Sequence, residues 1–280
     1  MPACGMLRAW KRFARNRFNV LGGLVILVML TVAAAAPALM PYDANDIQPE
    51  DALQAPTIRH LFGTDHFGRD LLSRVMLGAR ISFGVGILAT LLSMATGSTL
   101  GLVAGYYGRA VDEILMRLMD ILLAFPFIVL AVALMAVVGA SLANVILVIA
   151  LVRVPQFARL ARGQVLLVKQ LEFVEASRAT GATTRRIIQK HVLPNILTPL
   201  VVLASLSMAT AINAEAALSF LGVGIPPPTP TWGGLVAEGR RYLLAAPWIS
   251  TIPGLAISLT VLGFNLLGDG LRDALDPRTA

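Results

Sequence analysis

Residues able to do chemistry are sparse in this chain, and they gather most densely between Glu172 and His191. Glu172, Glu175, Arg178, Arg185, Arg186, Lys190 and His191 fall in one stretch without a paired nucleophile and base. Charges of both signs at this density suit a polar contact with another protein; covalent catalysis needs an activated nucleophile beside a base. From Leu171 to Thr180 there is neither Gly nor Pro, which permits a short helix. Phe173, Ala176 and Thr180 then share one face at i, i+3 and i+7. Gly181 supplies a stop just past that helix, Thr183 or Thr184 a cap for a second, and Pro194 a way out of it. The segment of about 170–193 is expected to be a helix–glycine–helix elbow.

Other candidates stand apart. His60 and His66 invite a metal, but two histidines in one loop with no third ligand in view do not make a site, and no metal ligand is assigned. Glu215 and Glu238 are the carboxylates of the segment 215–247, either solvated or meeting a cationic group of a ligand or docking protein. Arg153 falls inside an apolar run, where it either snorkels to the nearer interface or lines a pathway. No Gly-x-x-x-x-Gly-Lys-[Ser/Thr] and no His-Glu-x-x-His occurs, and Gly268-Asp269 lacks the preceding glycine of an intramembrane aspartyl protease. No catalytic residue is assigned, and any energy is expected to come from a partner.

The elements that position these residues follow from composition. With 56% hydrophobic and 14% charged residues in 280, and mean hydropathy +0.75, the chain reads as an all-α integral membrane protein. The net charge of +7 is scattered along flanks without an aromatic-interleaved patch, so nucleic acid is not an expected partner, and the lipid bilayer is. Cys4 is the single cysteine, which excludes an internal disulfide. Uncharged intervals of 25 residues (Arg17 to Asp43), 28 (Arg80 to Arg109), 24 (Lys190 to Glu215) and 27 (Arg241 to Asp269) each give one span. The 32 uncharged residues from Ile121 to Val152 give two, joined at Gly139-Ala140-Ser141. Six spans are expected. Sixteen Lys and Arg on one side against six on the other place both termini and the elbow in the cytoplasm.

Between spans one and two, Asp65 is expected to cap an interfacial helix from about Arg69 to Arg80. Gly97, Gly101 and Gly105, each four apart, mark close helix packing, within the chain or with a partner. The segment 215–247 holds Pro226-Pro227-Pro228-Thr229-Pro230, expected to form a stiff extended lid, with Trp232 and Trp248 suited to the interfacial belt.

Glu175-Ala176-Ser177, Gly181 and His191-Val192-Leu193-Pro194, so spaced, resemble the EAA loop of the permease subunits of bacterial ABC importers. Ser177 stands in place of the second alanine and His191 in place of the usual isoleucine. Gly63-Thr64-Asp65, Gly68-Arg69-Asp70 and Gly78-Ala79-Arg80-Ile81-Ser82 resemble the dipeptide and oligopeptide branch of that family, specifically its C-type subunit. So do Ala217 to Gly224, Trp232-Gly233 and the closing Phe264 to Pro277. The resemblance implies a five-helix permease core plus an extra N-terminal helix in the bacterial inner membrane. It divides the chain into 1–80 (tail, first span, outer loop), 81–268 (core) and 269–280 (cytoplasmic tail). It also implies a second related permease, two ATP-binding subunits or domains that hold ATP and Mg, an extracytoplasmic binding protein, and a peptide, nickel chelate or glutathione as cargo; a non-transporting scaffold is the other reading. For sites, it implies ATPase coupling by Glu172, Phe173, Glu175, Ala176, Ser177, Gly181, Arg185, Arg186, Leu193 and Pro194. Arg153, Asn213, Glu215 and Glu238 are pathway or gate candidates. Asn144, Asn195, Asn213 and Asn265 serve interhelical hydrogen bonds or touch a peptide backbone.

Overall fold

The computed structural model describes residues 13–14 and 16–275. Cys4, the basic residues Arg8, Lys11, Arg12 and Arg15, and the closing Asp276, Pro277 and Arg278 lie outside the described residues. The helices are α1 Arg17–Leu39, α2 Leu71–Tyr107, α3 Arg109–Leu123, α4 Phe127–Val138, α5 Leu142–Val168, α6 Glu172–Ala179, α7 Thr184–Ile187, α8 Leu193–Phe220, α9 Trp232–Gly239 and α10 Trp248–Leu275. Among the described residues the β structure is a single bridge, Thr64 to Asp70.

Five helical stretches are long and apolar enough to cross a bilayer: α1, α2, α5, the run Thr184–Phe220 and α10. The sixth expected span is not one straight helix, because α3 and α4 meet at 91°. Pro126 has no N–H to give the preceding turn and disfavours helical backbone at Phe125, so the ladder stops there. Five charged residues put α3 in an amphipathic role, and α4 is left with 12 residues. The turn at its other end matches expectation, with the Ser141 side chain accepting from the Asn144 N–H at the start of α5. Asn144 Nδ2 donates to the carbonyls of Val138 and Gly139 and closes that turn.

Three other expectations are corrected. The N-cap of the second span is Asp70, whose carboxylate accepts from the Ser73 N–H and Oγ at 2.8 Å. Asp65 instead folds the preceding turn, accepting from the Phe67 and Arg69 N–H groups. No separate interfacial helix forms, and α2 runs unbroken for 37 residues through position 80. Pro194 does not end a helix either: the bond it cannot make is absorbed by a π turn, Ile188–Val192, in which the Leu193 N–H reaches the Ile188 carbonyl. Trp232 is not in an interfacial belt. It is buried against Phe83, donating from Nε1 to the Val75 carbonyl (3.0 Å) and from its backbone N–H to Ser82 Oγ (3.2 Å).

The longest seam joins α2 to α5. Gly97, Gly101 and Gly105 present no side chain there, so the α2 backbone lies against Val154, Phe157, Ala158, Ala161, Arg162 and Val165. Small residues replace the absent hydrophobic driving force with close van der Waals contact. At one end of the bundle, called the cap end below, residues 42–70 and 222–247 fold over the helices; α6 and α7 stand at the opposite, elbow end.

Candidate functional site

At the elbow end, α6 rests on one buried side chain, Val174, which joins Val168, Ile187, Val192 and Ile196. Every other α6 residue except the half-buried Ser177 is exposed, as are Arg185, Arg186, Leu193 and Pro194. The Phe173 ring lies 5.7 Å from that of His191. The helix ends in two bonds: the Ala182 N–H to the Ser177 carbonyl and the Gly181 N–H to the Arg178 carbonyl. That Schellman pattern needs a left-handed residue, and Gly181 has φ +80°. Thr183 then caps α7, accepting from the Arg186 N–H at 3.4 Å. Behind the elbow, Lys169 Nζ donates to the Gly105 carbonyl (2.9 Å), fastening the end of α5 to the end of α2. Arg162 pairs with Asp112 and Arg159 with Asp120, tying α5 to α3. All ten elbow residues inferred from sequence thus surround one exposed helix pair. Chemically, the arrangement offers a polar surface with a narrow base, able to be gripped and moved.

The four pathway or gate candidates are not brought together. Glu215 is neither solvated nor facing a cation: it is fully buried, accepting from Ser219 Oγ (2.8 Å) and Ser82 Oγ (3.3 Å), and it joins α8 to α2 beneath Trp232. Glu238 is not solvated alone either; Arg69 and Arg74 of the same chain meet it at 3.3 and 3.4 Å. Asn213 is exposed on α8. Arg153 is 7% exposed, with its guanidinium over the Phe127 ring at 5.2 Å.

Sequence reasoning missed the network that Glu238 belongs to. Asp65 Oδ2 accepts from Arg69 Nε at 2.6 Å and pairs with Arg74 at 3.4 Å, so two buried guanidiniums face two carboxylates. The i,i+4 spacing of Asp65 and Arg69 was the available signal. His60 is separate, bonded through Nδ1 to Asp70 at 2.9 Å. Ligand atoms of Asp65, His66 and Glu238 lie within 4.8 Å of one another, but the two guanidiniums already balance both carboxylates, and a divalent cation would add uncompensated charge. His66 stacks on Tyr242 at 5.1 Å beside a cavity of about 370 Å³ that Glu238, Arg240 and Arg241 also line.

Burial lowers the His66 pKa from 6.5; Asp65 and Glu238 oppose that shift, and Arg69 and Arg74 reinforce it. The unfolded chain therefore takes up a proton before the folded one does. Stability at the cap is full above pH 6.5 and declines as pH falls from there through the lower folded value. Melting temperatures across that range are expected to fall less steeply in His66→Gln than in wild type; parallel curves would contradict this.

The fold and its two ends define a polytopic membrane component built to be grasped at one face and capped at the other. Residues 97–280 match the family described as binding-protein-dependent transport system inner membrane component, and residues 6–56 match the N-terminal TM domain of oligopeptide transport permease C. The dipeptide transport system permease protein DppC of Alkalihalophilus pseudofirmus is 45% identical over 96% of this chain and 89% of its own length. The glutathione transport system permease protein GsiD of Pectobacterium atrosepticum is 46% identical over 96% of this chain and 90% of its own. Among solved structures, an inward-facing form of the MetNI methionine ABC transporter shares the fold, with TM-score 0.59 and 22% identity over 74% of this chain and 97% of that one. The chain belongs to the binding-protein-dependent inner membrane component family, the permease subunits of ABC importers, and within it to the peptide branch.

Proposed function

We propose that this permease forms half of the translocation pathway of an ATP-driven importer of di- or oligopeptides. The observation that carries the coupling part is the elbow: an exposed helix on a narrow base, joined by the Gly181 turn to the run Thr184–Phe220, which continues through α7 and the π turn. Pushing α6 moves two spans at once. The chain itself is non-catalytic; ATP and Mg are held by two partner ATPases, and a second related permease and an extracytoplasmic binding protein complete the machine. Both termini and the elbow face the cytoplasm, and residues 81–268 act as the permease core. Peptides are the first cargo, in line with the dipeptide relative; glutathione, the cargo named for the other relative, comes second, and a nickel chelate is a further alternative. Asn213 is kept as a candidate lining residue.

The test is ATPase activity of the assembled complex in nanodiscs, with binding protein loaded in turn with dipeptide, longer peptide, glutathione and nickel chelate. Stimulation by peptide is the expected result, and stimulation only by another cargo would reassign the substrate. Glu175→Arg is expected to release the ATPases in a pull-down. Retention at wild-type level would remove Glu175 from the contact, and a wild-type complex without ATPases would point to a scaffold.

A further inference from the structure

A cation enclosed within a membrane span is costly, and such residues persist where an anion meets them. Arg153 is the twelfth residue of α5, about 17 Å from its Leu142 end at 1.5 Å per residue. That is near the middle of a hydrocarbon core about 30 Å thick. Its Nε is buried without a hydrogen-bond partner, and among the described residues no carboxylate pairs with it. On α3, Asp112 and Asp120 are held by Arg162 and Arg159.

A second, independent feature converges on the same place. Phe127, whose ring lies under the guanidinium, is the first residue of α4. That helix begins at Pro126 with no side-chain cap and no acidic residue in its first turn. Its leading N–H groups therefore have no acceptor from a cap, and they carry the positive end of the helix dipole. Ala124, Phe125, Pro126 and Ile128 are exposed, so the rest of the described chain leaves the break uncovered. Both helices count their residues from the same turn at Gly139, which brings the α4 start and Arg153 to a common depth. Half-helix N-termini at mid-membrane breaks are suited to anionic groups of cargo.

We propose that Arg153 and the uncapped start of α4 form a carboxylate-binding site within the membrane, which takes the free C-terminal carboxylate of the cargo. The assignment rests on the peptide-import reading above. Pairing cancels the charge of both groups at the depth where each is most expensive.

The test uses the complete complex in proteoliposomes and trialanine carrying a photoreactive diazirine on its C-terminal or its N-terminal residue. In wild type, the C-terminal probe is expected to label residues 124–130 or the α5 segment around Arg153. Arg153→Gln should cut that labelling and peptide uptake roughly tenfold or more, the effect of losing a charged hydrogen bond, and Arg153→Lys should retain part of both. Unchanged labelling in Arg153→Gln, or labelling of this segment by the N-terminal probe instead, would overturn the site. Loss of the second permease from the purified Arg153→Gln complex, with retention in Arg153→Lys, would assign the carboxylate to that subunit and also overturn it. Wild-type complex that hydrolyses ATP and takes up neither peptide would reject the cargo reading itself.

Discussion

Gly181→Val is expected to abolish most transport while leaving the permease folded and in the membrane. An added Cβ at Gly181 meets nothing within 4 Å, so sterics against neighbours play no part. The penalty is conformational: a β-branched residue at φ +80° costs about 1–3 kcal/mol, and the chain avoids it by opening the Schellman turn. Once open, α6 no longer holds a fixed angle to α7, and a push on its exposed face is lost in the hinge. Uptake should fall by an order of magnitude or more, with normal abundance of the subunit. Gly181→Asn should retain more uptake, because asparagine tolerates left-handed backbone. Wild-type uptake by Gly181→Val would show that the elbow does not carry the stroke.

Gly101→Val is expected to do the opposite, removing the protein rather than its coupling. A Cβ there would collide with the Ala158 carbonyl oxygen and sit 2.8 Å from the Ala161 Cβ. Backbone cannot be moved aside as a side chain can, so α2 and α5 must separate along the seam, at about 1–3 kcal/mol or more. Gly101→Ala should show the same loss in smaller measure. Gly84 on the same helix has open space around it, and Gly84→Ala should be neutral or stabilising by up to about 1 kcal/mol. Unfolding in detergent, compared across the three variants, checks the order. Equal stability of Gly101→Val and Gly84→Ala would refute the seam.

Much of this was legible beforehand because it is local. The elbow needed only a Gly-free helix, a glycine after it and a threonine to restart, and the seam needed only glycines four apart. Misreadings arose where geometry depends on distant residues. Glu215 finds its hydroxyl on Ser82, and Glu238 its cations on Arg69 and Arg74, all more than a hundred residues away in sequence. No window of sequence contains such a pair. The broken span failed for a different reason: hydropathy sums apolar character without direction, and the Phe125-Pro126 bend lies inside an uninterrupted apolar run. Pro194 misled because the π turn before it dispenses with the bond that proline lacks.

Helix α2 is 37 residues long, about 55 Å at 1.5 Å per residue and nearly twice the thickness of the hydrocarbon it crosses. Its first turns are clamped by Asp70, Arg74 and Trp232, and its last third is locked along α5. A rod held at both ends moves as one piece, so a displacement of its first turns is carried to the seam with α5. The cap and the elbow end therefore need no relay of side chains between them, because they share a single beam.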